Sequence, residues 1–243
     1  MVGIGILGAG NIAHRFAASL AHVEGAELVA ASCRTAQKAQ GFLDEVPHGA
    51  GARAYAGHDG LLADSAVDAI YLSLPHSLHH QWAIAALRAG KAVLCEKPAM
   101  LTAEQMNEVA DIARRTGRLF MEAMKPRFVP LCAQVVQALD QIGPLTSVEA
   151  TLCNDMLAYV EGTGTYHLTP GPGAGVLLDC GTYCASWLEA LGAGELRVLS
   201  VTCEKREGID VYVDARLDLG GIDGRLECAF DRAKPRQATI VVS

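Results

Sequence analysis

The chain has 243 residues, enough to bury two modest cores, and we expect two domains. Its composition is 51% hydrophobic and 5% aromatic, which is typical of a globular α/β protein rather than a disordered or disulfide-stapled one. The net charge of −7 is spread along the chain, which argues against nucleic acid as a partner. No apolar run approaches the roughly 20 residues that cross a bilayer, and a predicted strand begins at Val2. We therefore predict a cytoplasmic protein without a membrane partner.

Residues 1–123 alternate short apolar runs with helical patterns, as in βαβ units with a parallel sheet. The predicted strands are Val2–Leu7, Glu27–Ser32, Asp68–Leu74, Lys91–Cys95 and Leu119–Ala123. The predicted helices are Asn11–Glu24, Thr35–Val46, Ser77–Ala89 and Thr102–Thr116. Thr102 is expected to open the last helix and Gly117 to end it. This half is predicted to be a doubly wound Rossmann domain.

The pattern changes after Pro126, and residues 124–243 are predicted to form a smaller α+β domain with a mainly antiparallel sheet. Its predicted elements are helix Val129–Leu139, strand Leu145–Leu152, loop Glu161–Gly175, helix Val176–Leu191 and a last strand, Ala238–Val242. Apolar and polar residues alternate from Val211 to Leu219, which predicts a strand with one buried face. Turn residues at Gly220-Gly221 and Asp223-Gly224 then precede the strand Arg225–Phe230.

The segment Gly8-Ala9-Gly10-Asn11-Ile12-Ala13 follows a predicted strand and opens a predicted helix, the context in which G-x-G-x-x-A indicates a dinucleotide site. Gly8 supplies the tight turn, Gly10 lets a pyrophosphate approach the backbone, and Ala13 allows close helix–strand packing. The phosphates would lie at the helix N-terminus, against Gly8, Gly10, Asn11 and Ile12.

The end of the second strand distinguishes NAD from NADP, because NAD enzymes usually place a carboxylate there. The segment Ala30–Arg34 contains no carboxylate. Arg34 can bind a 2′-phosphate, and Ser32 offers a further donor. NADP is therefore the predicted cofactor, with NAD as the alternative.

Glu96-Lys97-Pro98 stands at the end of the strand Lys91–Cys95. Ligands of open α/β sheets bind outside the carboxyl ends of the strands, so Lys97 is expected to face the cofactor crevice. Pro98 restricts Lys97 to an extended conformation.

The eight cysteines are scattered without C-x-x-C pairs and are interpreted as reduced core residues. His76, His79 and His80 form a triplet without a second ligand cluster, so no metal site is predicted.

These segments resemble the Gfo/Idh/MocA oxidoreductase family, and within it the dimeric dihydrodiol dehydrogenase and glucose–fructose oxidoreductase branch. The resemblance covers most of the chain. It rests on Gly8–Ala13, Pro75 with His79, Gly90–Pro98, Glu122-Ala123-Met124 with Arg127-Phe128, and Gly175–Tyr183.

The resemblance implies that Lys97, Tyr183 and Asp179 are catalytic, with Tyr183 moving a proton and Lys97 favouring its phenolate form. Asp179 and Tyr183 are four residues apart, a spacing that shares one face of an α-helix. It also implies cofactor contacts from Leu74, Pro75, His79, Glu96, Lys97 and Arg127. Lys125 stands near the position of a family tryptophan and is expected, with Tyr183, to contact the substrate.

The predicted function is NADP-dependent hydride transfer to or from a carbinol or carbonyl carbon of a sugar, polyol or vicinal diol. The alternative is a dinucleotide-binding regulator or pseudoenzyme, and a metal-dependent lyase or hydrolase would need ligands that the pattern lacks. A homodimer is expected through the sheet face of Tyr212, Asp214, Arg216 and Asp218. Family members continue beyond the position of Ser243, so the second domain is expected to be shortened at its C-terminus.

Overall fold

A computed structural model of the chain describes residues 1–157, 168–192 and 195–243. They form two compact units, Met1–Ala123 and Met124–Ser243. Residues 161–167 of the predicted loop Glu161–Gly175 lie outside the described residues, and residues 168–175 lie within them. Within the described ranges, none of the helices combines the length and the apolar character needed to cross a membrane.

The first unit is built on a parallel sheet. Its strands are β1 (Val2–Leu7), β2 (Ala26–Cys33), β3 (Arg53–Ala56), β4 (Ala69–Leu72), β5 (Ala92–Cys95) and β6 (Phe120–Glu122). Its helices are α1 (Asn11–Leu20), α2 (Ala36–Glu45), α3 (Asp59–Leu62), α4 (His76–Arg88) and α5 (Ala103–Thr116). The six strands follow the order β3-β2-β1-β4-β5-β6, which is the Rossmann order. The predicted fold class of this half is confirmed.

Both faces of this sheet are buried, because helices cover each of them. Successive residues of a strand point to opposite faces. Ile6 packs in the apolar cluster with α1 and α2, and Leu7 packs in the cluster with α4 and α5. Strands β1, β2, β4, β5 and β6 therefore consist mostly of apolar residues, which is why their positions could be predicted.

The ends of α5 follow the predicted capping chemistry. The Thr102 hydroxyl accepts a hydrogen bond from the Gln105 amide at 3.2 Å, and Gly117 ends the helix in the left-handed conformation with φ 63°. By contrast, β3 and α3 were not predicted. Arg53 and Tyr55 of this short strand donate to the buried carboxylate of Asp64. Such contacts produce no alternation of apolar and polar residues by which the strand could be recognised.

The second unit combines one sheet with helices. Its elements are α6 (Pro130–Ile142), β7 (Leu145–Cys153), α7 (Thr182–Leu191), β8 (Leu196–Arg206), β9 (Ile209–Leu219), β10 (Asp223–Ala229) and β11 (Gln237–Val242). A 3₁₀ turn, Lys125–Phe128, precedes α6, and a π-helical turn, Leu177–Gly181, precedes α7. The five strands follow the order β11-β7-β10-β9-β8. Only β7 and β10 pair in parallel, so the predicted mainly antiparallel sheet is confirmed.

The alternation predicted along β9 correctly identifies its buried face. Val211, Val213, Ala215, Leu217 and Leu219 are all buried. On the opposite face, however, Tyr212 is only 8% exposed, which corrects its assignment to the surface. The Arg232 guanidinium lies 3.8 Å from the centre of the Tyr212 ring, and the Tyr212 hydroxyl donates to Glu227 at 2.9 Å.

Glu227 is 2% exposed although it carries a carboxylate. Lys234 donates to it at 2.5 Å, and Arg225 lies 3.7 Å away while binding Asp214 through two nitrogens at 3.0 and 2.7 Å. A buried carboxylate needs such partners, because an unpaired charge away from water is costly. These contacts join the segment after β10 to the open face of the sheet.

Two further features of this unit differ from expectation. Asp223 and Gly224 already pair with Asp218 and Leu217 of β9, so they belong to β10 rather than to a turn. The edge strand β8 was not among the predicted strands, although apolar and polar residues alternate from Leu199 to Glu204, and it is exposed along its whole length. Its Cys203 is exposed, whereas every other cysteine is buried and all eight are free thiols.

Candidate active site

The turn after β1 has the geometry of a phosphate-binding loop. Gly8 adopts φ +97°, and a Cβ there would lie 2.9 Å from the Ser73 carbonyl oxygen. Gly10 precedes α1, and a Cβ built on it would meet no atom within 4 Å. The first turn of α1 carries no acidic residue, and Asn11 and Ile12 are exposed. The open backbone at this helix N-terminus fits a pyrophosphate.

The end of β2 presents two cations. Arg34 is exposed, as is Lys38 in the first turn of α2, where its amide donates to the Thr35 hydroxyl at 3.2 Å. Burial raises the pKa of the neighbouring Cys33 thiol, while Lys38 and Arg34 lower it. Lys38 was not predicted from the sequence, although it lies one turn after the capping residue Thr35 and therefore close to Arg34. Together the two side chains could bind a 2′-phosphate.

Ser32 differs from its predicted role as a phosphate donor. It is fully buried, and its hydroxyl lies 2.7 Å from Nδ1 of His58. The ring of His58 in turn contacts Trp82 edge-on, with 4.6 Å between the ring centres. Ser32 therefore binds His58 in the interior at the end of β2 and has no exposed surface that could contact a ligand.

The segment after β4 contains Leu74, which is half-buried, and Pro75, which is exposed before α4. His79 lies one turn into α4 with no exposed surface. Burial lowers the pKa of its imidazole, which favours the neutral ring. The predicted direct contact of His79 with a cofactor is therefore not supported by its placement.

Glu96 and Lys97 follow β5 at the same edge of the sheet. The Tyr71 hydroxyl donates to one carboxylate oxygen of Glu96, and the Lys97 amide donates to the other at 3.3 Å. The Tyr71 ring stacks on Phe16 of α1 with 3.7 Å between the ring centres. Lys97 is half-buried. The carboxyl ends of β1, β2, β4 and β5 thus bring the predicted cofactor residues of this unit to one edge.

In the second unit, the segment with Asp179 and Tyr183 begins at a glycine where a side chain would be strained and would displace Asp210. Gly175 adopts φ +105°, and a Cβ there would lie 2.0 Å from a carboxylate oxygen of Asp210. The other oxygen of Asp210 accepts a hydrogen bond from the Leu177 amide at 2.8 Å. Asp210, the second residue of β9, thus holds the start of this helix, a role that was not predicted from the sequence.

The predicted helix that carries Asp179 and Tyr183 is present, but it is not α-helical throughout. Asp179 lies in the π-helical turn, whereas Tyr183 lies in the first turn of α7. Both side chains are half-buried. Single π-helical turns within helices are rare and occur frequently at functional sites.

Arg127 and Lys125 lie in the 3₁₀ turn before α6. Arg127 donates to the Ser186 carbonyl of α7 at 2.7 Å and lies 3.9 Å from Glu189. This contact ties the 3₁₀ turn to the helix that carries Tyr183, whereas the sequence analysis expected a cofactor contact. Lys125 is exposed, as a substrate residue requires.

Among the residues that the structure describes, no group of three or more His, Cys, Asp or Glu side chains is arranged to hold a metal ion. The His76 and His79 rings lie 5.7 Å apart, but both side chains are buried.

Residues 2–124 match the family described as "Oxidoreductase family, NAD-binding Rossmann fold". The chain is 30% identical over 232 residues to the D-xylose 1-dehydrogenase (NADP(+)) 2 of Haloferax volcanii, covering 93% of this chain and 69% of that protein. It is 31% identical to the trans-1,2-dihydrobenzene-1,2-diol dehydrogenase of Mus musculus, covering 97% and 71% of the two chains.

Among solved structures, the 3-ketoreductase KijD10 of Actinomadura kijaniata, in complex with NADP and TDP-benzene, superposes with a TM-score of 0.91 and 27% identity. The superposition covers 100% of this chain and 74% of that one. The likeness therefore extends through both units.

Gly175→Ala is expected to lower the free energy of unfolding by at least about 2 kcal/mol, because it adds both a clash with Asp210 and strain at positive φ. Gly171→Ala is the matched control, since the nearest atom to its Cβ would be 4.0 Å away. Urea denaturation measures both variants. Equal stability of the two would contradict the tight contact described for Gly175.

Proposed function

Because the chain belongs to the oxidoreductase family with an NAD-binding Rossmann fold, we propose that it transfers a hydride between NADP and a carbinol or carbonyl carbon of a sugar, polyol or vicinal diol. The observation that carries the proposal is the open helix N-terminus at Gly10 beside the exposed Arg34 and Lys38. NADP supplies the hydride chemistry at C4 of its nicotinamide.

NADP rather than NAD is favoured by the charge at the end of β2. Two cations and no carboxylate stand where an NAD enzyme usually binds the ribose 2′-hydroxyl. The relatives agree in part, since the name of the Haloferax enzyme specifies NADP(+) and the KijD10 structure contains NADP.

We assign the proton transfer to Tyr183, whose hydroxyl would exchange a proton with the substrate hydroxyl as the hydride moves. Lys97 would orient the substrate oxygen and supply positive charge. Asp179 would accept a hydrogen bond from a substrate hydroxyl and so help to hold the reacting carbon in place. The role of Arg127 changes with its contacts, since its bond to Ser186 makes it a support of α7.

The substrate class is inferred from chemistry and relatives. The curated relatives are named as dehydrogenases of xylose, scyllo-inositol and a dihydrodiol, compounds that share neighbouring hydroxyl groups. The exposed ammonium of Lys125 favours a polar or anionic substrate over a flat aromatic diol.

A panel of sugars, polyols, aromatic dihydrodiols and ketoses, each with NADP(H) and followed at the nicotinamide absorbance, tests the proposal. Turnover of a sugar or polyol is expected. Tight NADPH binding without turnover of any member would instead favour a dinucleotide-binding regulator.

The first prediction concerns cofactor choice. The parent should bind NADP(H) more tightly than NAD(H), and Arg34→Asp should weaken NADP(H) binding about 10- to 100-fold by removing a charge-assisted contact. Lys38→Glu should act in the same direction. Fluorescence titration measures the affinities, with Arg115→Asp, an exposed position on α5, as control. Tighter binding of NAD(H) by the parent would refute the preference.

The second prediction concerns proton transfer. Tyr183→Phe keeps the ring but removes the hydroxyl, so kcat should fall about 10²- to 10⁴-fold while the NADPH affinity stays nearly unchanged. Tyr55→Phe provides a control, because Tyr55 lies on the edge strand β3 and its hydroxyl donates to Asp64. Parent-like turnover of the Tyr183→Phe variant would exclude Tyr183 as the acid–base group.

We also propose a homodimer through the open face of the second sheet, where Asp214, Arg216 and Asp218 place charges of both signs that suit a two-fold interface. Tyr212 is unsuited to a test because it is buried. Arg216→Glu should convert a dimer to a monomer in light scattering, whereas Arg114→Glu in the first unit should not. A single-chain mass of the parent at every concentration would rule the dimer out.

The cytoplasmic location stays a prediction.

A further inference from the structure

The two residues that follow Lys97, Pro98 and Ala99, are held in place by hydrogen bonds to their backbone groups. Pro98 and Ala99 are buried, whereas Lys97 itself is half-buried. The Ala99 carbonyl accepts a weak hydrogen bond from the Cys95 thiol at 3.7 Å, which closes the turn after β5. The position of the Lys97 side chain therefore depends on what holds this turn.

His79 holds one side of the turn. Its Nδ1 lies 3.0 Å from the Pro98 carbonyl oxygen, and its Nε2 lies 2.8 Å from the Leu74 carbonyl oxygen. Leu74 follows β4 and Pro98 follows β5, so the ring lies between the segments after two neighbouring strands. A neutral imidazole has one N–H and can donate to only one of the two carbonyls at a time.

Glu122 holds the other side. It is the last residue of β6, the strand next to β5, and its Oε1 accepts a hydrogen bond from the Ala99 amide at 2.7 Å. A carboxylate acceptor makes this bond stronger than a neutral pair would be. The residue after Glu122 reinforces the pairing, since the Ala123 amide donates to the Cys95 carbonyl at 2.7 Å.

These two polar contacts lie within an apolar environment. Cys95, Ala99 and Met100 belong to the cluster that packs under α4 and α5. An apolar side chain could fill the space of His79 without the cost of burying an imidazole, whereas Glu122 is half-buried. Hydrogen bonds are directional, so bonds to the Pro98 carbonyl and the Ala99 amide fix the path of the turn more precisely than apolar packing alone would.

We propose that His79, as the tautomer with its proton on Nδ1, and Glu122 are positioning residues that act through Lys97. His79 donates to the Pro98 carbonyl and Glu122 accepts from the Ala99 amide, and these two bonds fix where the Lys97 ammonium lies. The inference rests on the proposed function only for the role of Lys97 in turnover. His79 has no exposed surface, so it acts without touching the cofactor or the substrate.

Matched substitutions separate each contact from the packing around it. At position 79, Asn places its amide nitrogen near Nδ1 and keeps a donor toward Pro98, whereas Gln places it near Nε2 and keeps only the donor toward Leu74. At position 122, Gln keeps a carbonyl acceptor for the Ala99 amide, whereas Ala removes it. His80→Asn is the control, because His80 is the next residue of α4 and contacts Glu108 at the surface.

In kinetic measurements, His79→Gln and Glu122→Ala should lower kcat about 10- to 100-fold, since a displacement near 1 Å can cost that much. His79→Asn, Glu122→Gln and His80→Asn should stay within about threefold of the parent. In a Lys97→Met background, His79→Gln and Glu122→Ala should cause no further loss, because residues that act as a unit are not additive. Equal effects within each matched pair, or additive losses in that background, would overturn the proposal.

A second readout does not depend on turnover. The lysines are converted to ¹³C-dimethyl-lysines, and the Lys97 resonance is assigned by its loss in Lys97→Met. It should shift toward the values of the exposed lysines in His79→Gln and Glu122→Ala, but not in the conservative variants or in His80→Asn. An unmoved resonance overturns the positioning role whatever the activity. A parent without turnover, or parent-like turnover of Lys97→Met, would refute the proposed function alone.

Discussion

The close approach of β1 to β2 and β4 is the constraint on which the first unit depends. The Gly8 amide donates to the Ser32 carbonyl at 3.0 Å, and the Ser73 hydroxyl donates to the Leu7 carbonyl, also at 3.0 Å. A side chain at Gly8 would collide with the Ser73 carbonyl, so this junction requires glycine at positive φ. Because it lies where the strand order reverses, the crevice for a dinucleotide opens above it.

The elements that could be predicted are those whose cause is local. α5 is marked by its own capping residues, Thr102 and Gly117, and β9 by an uninterrupted period of two. β3 was not predicted because it has only four residues and shows no clear period. In β8 the alternation from Leu199 to Glu204 is interrupted at Val198, where the register against β9 shifts. Tyr212 was misassigned because Arg232, whose guanidinium lies over its ring, follows a later strand.

The same distinction applies to the candidate site. Lys97 and Gly8 lie in short sequence motifs from which their roles were predicted, and the structure brings them to one edge of the first sheet. The residues that support the site do so across long separations in sequence. His79 and Pro98 are 19 residues apart, Ala99 and Glu122 are 23 apart, and Leu177 and Asp210 are 33 apart. Each of these contacts involves a backbone group, and backbone groups leave no mark on the pattern of residue types.

The distribution of the thiols makes Cys203 a single chemical handle on the native chain. Burial raises the pKa of Cys33, Cys153 and Cys184, so these thiols are both shielded and protonated at neutral pH. Cys203 is exposed on β8. A maleimide dye would therefore attach first to the edge of the second sheet, with no engineered cysteine. Slower labelling at the remaining positions would then report how often each unit opens, one core at a time.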